Sequence, residues 1–193
     1  MNTRVRITRE GNTTPALPIN LEEVKTHLKV EDDTEDGLLY SYMLSAVKWA
    51  EERSRRAISL QSYLITRDTF PVGDWYLPLG KIQSITKIEY LDTDGNLQTW
   101  NAAEYESDLD TDFQARVRPK STYSWPSTGT YMAAARITLQ AGWAVADVPY
   151  TVKQSLLMKV ADLYEVRAPG DPLAQSLDTA AEILLNGWSL PYY

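Results

Sequence analysis

The sequence predicts an α+β fold: a helical core of two N-terminal helices packed with one long and one short C-terminal helix, carrying an inserted small antiparallel β-module. Three observations carry this reading. Apolar residues recur at helical spacing over 21–56 and again over 150–186, whereas 58–141 alternates and is rich in β-formers. That β-rich stretch lies between two helical pairs, whose apolar stripes must meet to be buried. Asp94-Gly95 separates "KIQSITKIEYLD" from "LQTW" as a hairpin turn would, because glycine supplies the positive φ. The chain therefore divides into an extended N-terminal arm (1–19), a helical core (20–57 and 142–186), the β-module (58–141) and a C-terminal tail (187–193).

Residues 1–19 are polar and contain Pro15 and Pro18. Asn20 is a good N-cap with Glu23 as its capping-box partner, and Leu21, Val24 and Leu28 fall on one face of the first helix. The run "EDDTEDG" holds five acids in seven residues. Within it Thr34 is placed to cap the second helix, with Glu35 and Asp36 at its positive end. Leu38, Leu39, Tyr42, Met43, Ala46, Val47 and Ala50 make a wide stripe, and "EERSRR" brings cations to the C-terminal end.

The β-module follows as short segments: "ISLQSYLITRDTF", "DWYLPLG", the hairpin, "EYESDL", "ARVRPK" and "ARITLQAG". Within "LPLGKIQSITKIEYLDTDG", Ile82, Ile85 and Ile88 are set among Gln83, Ser84, Thr86 and Lys87. Helical spacing returns after Pro149, with Val152, Leu156, Leu157, Val160, Leu163 and Tyr164 on a broad face until "APGDP". A short helix over 173–186 carries Leu177, Ala181, Leu184 and Leu185, and the chain finishes "NGWSLPYY".

Composition narrows the function classes. The 193 residues carry 26 acids and 19 bases, a net charge of −7, so free-chain coating of DNA is not expected. Twelve tyrosines and six tryptophans against two phenylalanines suit half-buried surfaces and interfaces, and equally ordinary strands. The absence of cysteine excludes disulfides and thiolate ligands and fits a reducing compartment. The N-terminus has no apolar signal core, and "YMAAARITLQAGWAVADVPY" is broken by Arg136, Gln140, Asp147 and Pro149, so no membrane contact is expected.

The residues that could carry chemistry are sparse. His27 is the single histidine and has no nucleophile elbow to serve. "DLDTD" at 108–112 and "DTDGN" at 92–96 begin like calcium loops, but their sixth and twelfth positions hold Phe113 and Pro119, and Leu97 and Ala103. "EDDTED" reads as a solvated helix start. Asp108 and Asp110 could serve a hydrolase, yet nothing else supports a sugar site. No P-loop, dinucleotide fingerprint or zinc spacing is present. The reading is therefore of a protein without catalytic residues, metal or cofactor. Two basic clusters, "RSRR" at 53–56 and "RVRPK" at 116–120, could touch phosphate, or could serve as helix-end and strand-edge charges.

Three stretches resemble the head–tail connector (adaptor, head-completion) proteins of tailed phages, the longer members with an inserted β-region. Residues 21–58 follow the family's opening pattern, with Lys25, His27 and Leu28, an acidic break, then Glu35-Asp36 before an apolar helix. The second stretch is "LPLGKIQSITKIEYLDTDG". The third is "AGWAVADVPYTVKQSLLMKVADLYEVR", with Ala141-Gly142, Val148-Pro149, Lys153-Gln154, Leu157, Tyr164 and Arg167. The resemblance covers about residues 20–188 and departs at both ends.

It implies a virion structural protein at the head–tail interface, assembled in the host cytoplasm. Such a protein rings with itself, commonly as a dodecamer, beneath the portal protein. The ring extends the DNA channel and docks a stopper or tail-completion protein. Double-stranded DNA passes without sequence specificity, and Arg116, Arg118 and Lys120 are the candidate phosphate contacts. The candidate portal-docking residues are Leu184, Leu185, Trp188, Leu190, Tyr192 and Tyr193. Gly187 lets the chain turn out of the helix and Pro191 stiffens an extended path. The competing reading of that segment is a tail that folds back on its own subunit. The competing function is a small-ligand or carbohydrate-binding module using an aromatic β-face.

Overall fold

The computed structural model describes residues 5–11, 16–109, 114–165 and 172–190, with backbone alone for 172–175. Four α-helices and eight strands lie among these residues, and the chain divides into two compact units. The helical unit comprises Pro15–Ser59 and Trp143–Tyr193, and the β unit Met1–Thr14 and Leu60–Gly142.

In the helical unit, α1 (Leu21–Leu28) starts at the expected capping box. The Glu23 amide donates to Asn20 Oδ1 and the Asn20 amide to Glu23 Oε2, each at 2.8 Å. Helix α2 spans Asp36–Ser54 and has Glu35, not Thr34, at its N-cap. Thr34 is engaged elsewhere: its amide and hydroxyl both donate to Asp32 Oδ1. The acidic run also does more than solvate a helix start. Lys25, buried on α1, donates to Asp33 at 2.5 Å and Asp36 at 3.1 Å, which ties α1 to the start of α2. Hydrogen bonds to Asp33 and then Asp36 push the Lys25 ammonium up to about 12.

Helix α3 (Tyr150–Glu165) packs on α2 and on α4 (Pro172–Asn186). Its Val152, Leu156 and Val160 are buried with Leu39, Met43, Ala46, Val47 and Ala50 of α2, and Leu185 of α4. Leu38 departs from the expected stripe and is exposed. Polar groups reinforce the packing. Ser155 Oγ, fully buried, donates to the Ala181 carbonyl at 2.9 Å. Lys159 reaches Asp162 and Asp178, each at 2.7 Å, and its ammonium lies 5.2 Å from the Trp49 ring centroid. Two segments 84 positions apart close this unit: the Trp143 amide donates to the Ile58 carbonyl at 2.8 Å, and Ser59 bridges Trp143.

The β unit holds β1 (Arg6–Arg9), β2 (Gln61–Arg67), β3 (Trp75–Leu77), β4 (Ile82–Leu91), β5 (Leu97–Trp100), β6 (Tyr105–Asp108), β7 (Ala115–Pro119) and β8 (Ala135–Ala141). They form two antiparallel sheets rather than one, ordered β1-β2-β8-β4-β5 and β3-β7-β6. The N-terminal stretch read as an arm thus supplies an edge strand, β1. The β4–β5 hairpin turns at Gly95, φ 85°, and Asp92 organises it. Asp92 accepts from the Asp94 and Asn96 amides and from Gln98, which holds its carboxyl below the ordinary range, Gln98 contributing most.

Strand β4 solves a puzzle of spacing. Ile82, Ile85 and Ile88 stand three apart, so a regular strand would send them to alternating faces. Register shifts between Ile82 and Ser84 and between Ile85 and Lys87 each insert one extra residue. The three isoleucines therefore oppose Ala141, Leu139 and Ile137, all fully buried, on one face of β8.

Leu156→Ala should destabilise the protein by about 2–5 kcal/mol in urea unfolding, as expected for a fully buried leucine. A loss under about 0.5 kcal/mol, the range of surface changes, would contradict this core. The Lys25 clamp predicts a pH dependence. Its pKa is raised from 10.5 to about 12, so its contribution is complete below 10.5 and is lost as pH rises through about 12. The stability gap between the native chain and Lys25→Met should hold steady from neutral pH to about pH 10 and shrink above it, read by denaturant midpoints at each pH.

Candidate functional site

Strand alternation sets the first basic cluster on one face of the three-stranded sheet. Ala115 and Val117 of β7 are buried, which turns Arg116 and Arg118 to the other side. Their cross-strand neighbours there are acids. Arg116 lies opposite Asp108 of β6, and Arg118 opposite Glu106. Arg116 Nη1 is 3.2 Å from Asp74 Oδ2, and its Nε is 3.5 Å from Asp108 Oδ2. Arg118 Nε donates to Glu106 Oε1 at 2.6 Å, and Lys120 Nζ to the Ala103 carbonyl at 2.7 Å. The field of Asp74 above all raises the Arg116 pKa, against desolvation and with help from Asp108. The structure thus brings Arg116 and Arg118 together, but as members of a zwitterionic lattice. Such a face offers phosphate a few spare N–H groups and no net positive field. Asp110, the other member of the carboxylate pair, lies outside the described residues.

The second basic cluster is structural. Arg53 pairs with Glu182 of α4 at 3.0 Å, Arg55 adopts φ 57° at the α2 C-cap, and Arg56 is buried with its guanidinium 5.9 Å from the Trp188 ring centroid.

As far as Leu190, the C-terminal segment packs on its own unit. Leu185 belongs to the helical core. Trp188 packs on that core, meets Trp143 edge-on at 5.9 Å, and its indole donates to Thr151 Oγ1 at 2.9 Å. Leu190 is buried, and its amide donates to the Ser54 carbonyl at 2.9 Å. As placed, Leu185 and Leu190 offer no free docking surface. Leu184 is half-buried in an open recess of about 410 Å³ with Ile19, Tyr150, Thr151 and Leu157. Sequence reasoning did not single out this recess, because Ile19, Tyr150 and Leu184 converge only after the helices pack. Tyr192 and Tyr193 lie outside the described residues.

Phe70, Trp75, Trp100 and Trp125 of the β unit pack on one another as a core, while Tyr76, Tyr123 and Tyr131 are exposed. Phe70 stacks on Trp125 at 4.7 Å and meets Trp75 edge-on at 5.8 Å, while Trp100 contacts Trp125 at 5.1 Å and Tyr105 at 5.2 Å. Trp75, Trp100 and Phe70 are buried, and the Trp100 and Trp125 indoles donate to Glu104 and to the Gly73 carbonyl. Rings packed against one another in this way are not themselves a flat platform for a sugar. His27 is exposed on α1 beside Glu23 and Thr26. Among the described residues, no group of three His, Asp or Glu side chains is placed to hold a metal ion, and no helix is long and apolar enough to cross a membrane.

Two predictions follow from these placements. The triple variant Asp74→Asn/Glu106→Gln/Asp108→Asn, which removes every acid paired with Arg116 and Arg118, should bind duplex DNA more tightly than the native chain. Unmasking two arginines should give a log-affinity against log-salt slope of about −1.8, measurable by fluorescence anisotropy. Tight, salt-sensitive binding by the native chain would show instead that the lattice does not mask the arginines. Leu190→Ala should cost about 2–5 kcal/mol, the cost of a buried leucine, and truncation after Asn186 at least as much. An unchanged melting temperature for the truncated chain would return this segment to the status of a free tail.

Comparison with known proteins agrees with this architecture. Residues 18–88 match the family model of the phage gp6-like head-tail connector protein. No curated protein matches the chain. Among solved structures, a chain of the virion of a native gene transfer agent particle is similar at TM-score 0.79 and 19% identity, over 97% of this chain and 96% of that one. A chain from the neck of the empty particle, computed with C6 symmetry, gives TM-score 0.74 and 19% identity over 97% of both. One from the neck of the native particle, computed with C12 symmetry, gives 0.72 and 20% identity over 100% of this chain and 97% of that one. This chain therefore carries the sequence pattern of the phage gp6-like head-tail connector family over residues 18–88, and over nearly its whole length the fold of gene transfer agent neck chains.

Proposed function

We propose that this chain is a structural head–tail connector of a tailed phage or phage-like particle. It forms a ring beneath the portal, extends the DNA channel and presents a docking surface to a stopper or tail-completion protein. The observation that carries this reading is the connector match at 18–88 within a fold shared end to end with neck chains, one of them from a neck computed with C12 symmetry. Twelve copies in the ring is the number that this symmetry favours. The protein performs no covalent chemistry in this role, and its place is the virion, with assembly in the host cytoplasm.

The electrostatics suit a passage for DNA. A ring of chains each carrying −7 repels a polyanion overall. Arginines already paired with Asp74, Asp108 and Glu106 can touch phosphate without gripping it, so the duplex slides. In this reading the portal contact includes Leu184 with Tyr192 and Tyr193, and the buried Leu185 and Leu190 anchor the segment that presents them.

Mixing the purified chain with portal rings of the same particle tests this. Co-migration in size exclusion and an added ring-shaped density under the portal in electron micrographs are expected. A chain that never associates with portal rings, at any salt concentration, would sink the connector assignment.

A further inference from the structure

The two sheets of the β unit end on β1 and β5, and on β3 and β6. These edges differ in charge. Strand β1 carries only positive side chains, Arg6 and Arg9, and β6 only negative ones, Glu106 and Asp108. Strands β3 and β5 carry none. All four residues of β1 are exposed, as are Glu106, Ser107 and Asp108 of β6. Among the described residues, β1 pairs with β2 alone and β6 with β7 alone.

Strand alternation fixes which backbone groups each edge turns outward. The Glu10 amide donates to the Ser62 carbonyl, one step along the β1–β2 register. The backbones of Thr8 and Arg6 therefore bond inward as well, and Val5, Ile7 and Arg9 direct N–H and C=O outward. The Lys120 amide donates to the Glu104 carbonyl, one step along the β6–β7 register. Glu106 and Asp108 then bond inward, and Tyr105, Ser107 and Leu109 face out.

The two charged edges lie on opposite flanks of the unit. Strands β1 and β5 are the outer strands of the five-stranded sheet, roughly 19 Å apart at the usual strand spacing. Strand β6 begins beside β5: only residues 101–104 separate them, and the Trp100 and Tyr105 ring centroids are 5.2 Å apart. Charges on an edge ordinarily keep sheets from joining. Here each edge bears one sign, so like edges repel and unlike edges attract. Joining one flank to the opposite flank of the next copy is a head-to-tail contact, the kind that closes rings, whereas a β1–β1 contact would stop at two copies.

We propose that β1 of one copy adds to β6 of the next as an antiparallel strand, while keeping its own place beside β2. This rests on the ring reading above, and the occupant of each edge is a second copy of this chain. The outward groups match when Ile7 lies opposite Ser107. That register sets Arg6 against Asp108, Thr8 against Glu106, Arg9 against Tyr105, and the exposed Val5 against Leu109. Asp108 is 48% exposed despite its contact with Arg116, which keeps it within reach of a second guanidinium. Around β6, Asp74, Glu106 and Asp108 outnumber Arg116 and Arg118, so the receiving edge keeps an excess of negative charge. The five-stranded sheet of one copy then runs on into the three-stranded sheet of its neighbour.

No native cysteine competes in a disulfide test. Thr8→Cys and Glu106→Cys fall at a non-hydrogen-bonded pair of the proposed ladder, where side chains come closest. Ile7→Cys and Ser107→Cys form a second pair should the first disturb folding. For each pair the two single variants are mixed, assembled on portal rings, oxidised and run on a non-reducing gel. The ladder predicts covalent dimers from the mixture, none from either variant alone, and a series of multimers when one chain carries both cysteines. Rings intact in electron micrographs with no cross-link at either pair overturn the ladder and leave the ring standing. Dimers from a β1 variant alone also overturn it, because β1 then pairs with itself. An intramolecular link as the sole product of the double variant does the same. A native chain that forms no ring, even with portal rings present, overturns the ring reading and the ladder together.

Discussion

The fold depends on one pairing: β2 against β8, the first and last strands of the insertion. Gln61 opposes Ala141 and Arg67 opposes Ala135, so the ladder runs antiparallel through all seven residues. An insertion of 83 residues, Leu60–Gly142, therefore begins and ends at adjacent points. The helical unit needs this. Its two halves carry complementary apolar faces that neither can bury alone, and Ile58 and Trp143 hydrogen-bond where the halves meet. Gly142, at φ 106°, supplies a backbone turn between β8 and Trp143 that a β-branched residue would resist. Closing the insertion locally removes most of the loop entropy that would otherwise oppose joining α2 to α3.

Charge in this protein is spent on joining elements. Lys25 holds the start of α2, Lys159 spans α3 and α4, and Arg53 reaches α4 from α2. In the β unit Arg116 and Arg118 are committed to acids on neighbouring strands or loops. The basic residues that a sequence reader would assign to phosphate are thus already occupied, and the excess acids set the long-range field. Exposed pairs of this kind add little stability, roughly 0–1 kcal/mol each. Their larger effect is on what the surface will bind.

Apolar and aromatic residues follow the same economy. The tryptophans that suggested a binding face are used to seal two cores, the β unit around Phe70 and Trp125 and the helical unit around Trp143 and Trp188. The loop at 120–134 shows how tightly this is done. A Cβ on Gly129 would come within 2.4 Å of the Tyr131 ring and 2.7 Å of the Asp92 carbonyl, so the loop can cross the β4–β5 turn only as glycine. Tyr150, 89% exposed at the rim of the recess that holds the half-buried Leu184, is what the helical unit leaves open.

The sequence by itself determined the features whose physics is local. Asn20 and Glu23 cap α1 because the partners are three residues apart, and Asp94-Gly95 turns because glycine alone accepts that φ cheaply. The faces of α2 and α3 are written in their 3.6-residue period, with Leu38 the exception. What only the tertiary structure decided are long-range choices. Asp33 and Asp36, read as the solvated start of a helix, were claimed by Lys25, eight and eleven positions away. Residues 6–9 became a strand only because β2 offered an edge. Two bulges, invisible in a spacing of three, put Ile82, Ile85 and Ile88 on one face. Trp188 and Leu190 turned inward because Thr151 and Ser54 had partners for them. In each case the deciding partner is distant in sequence or is a backbone group, and neither leaves a trace in local composition.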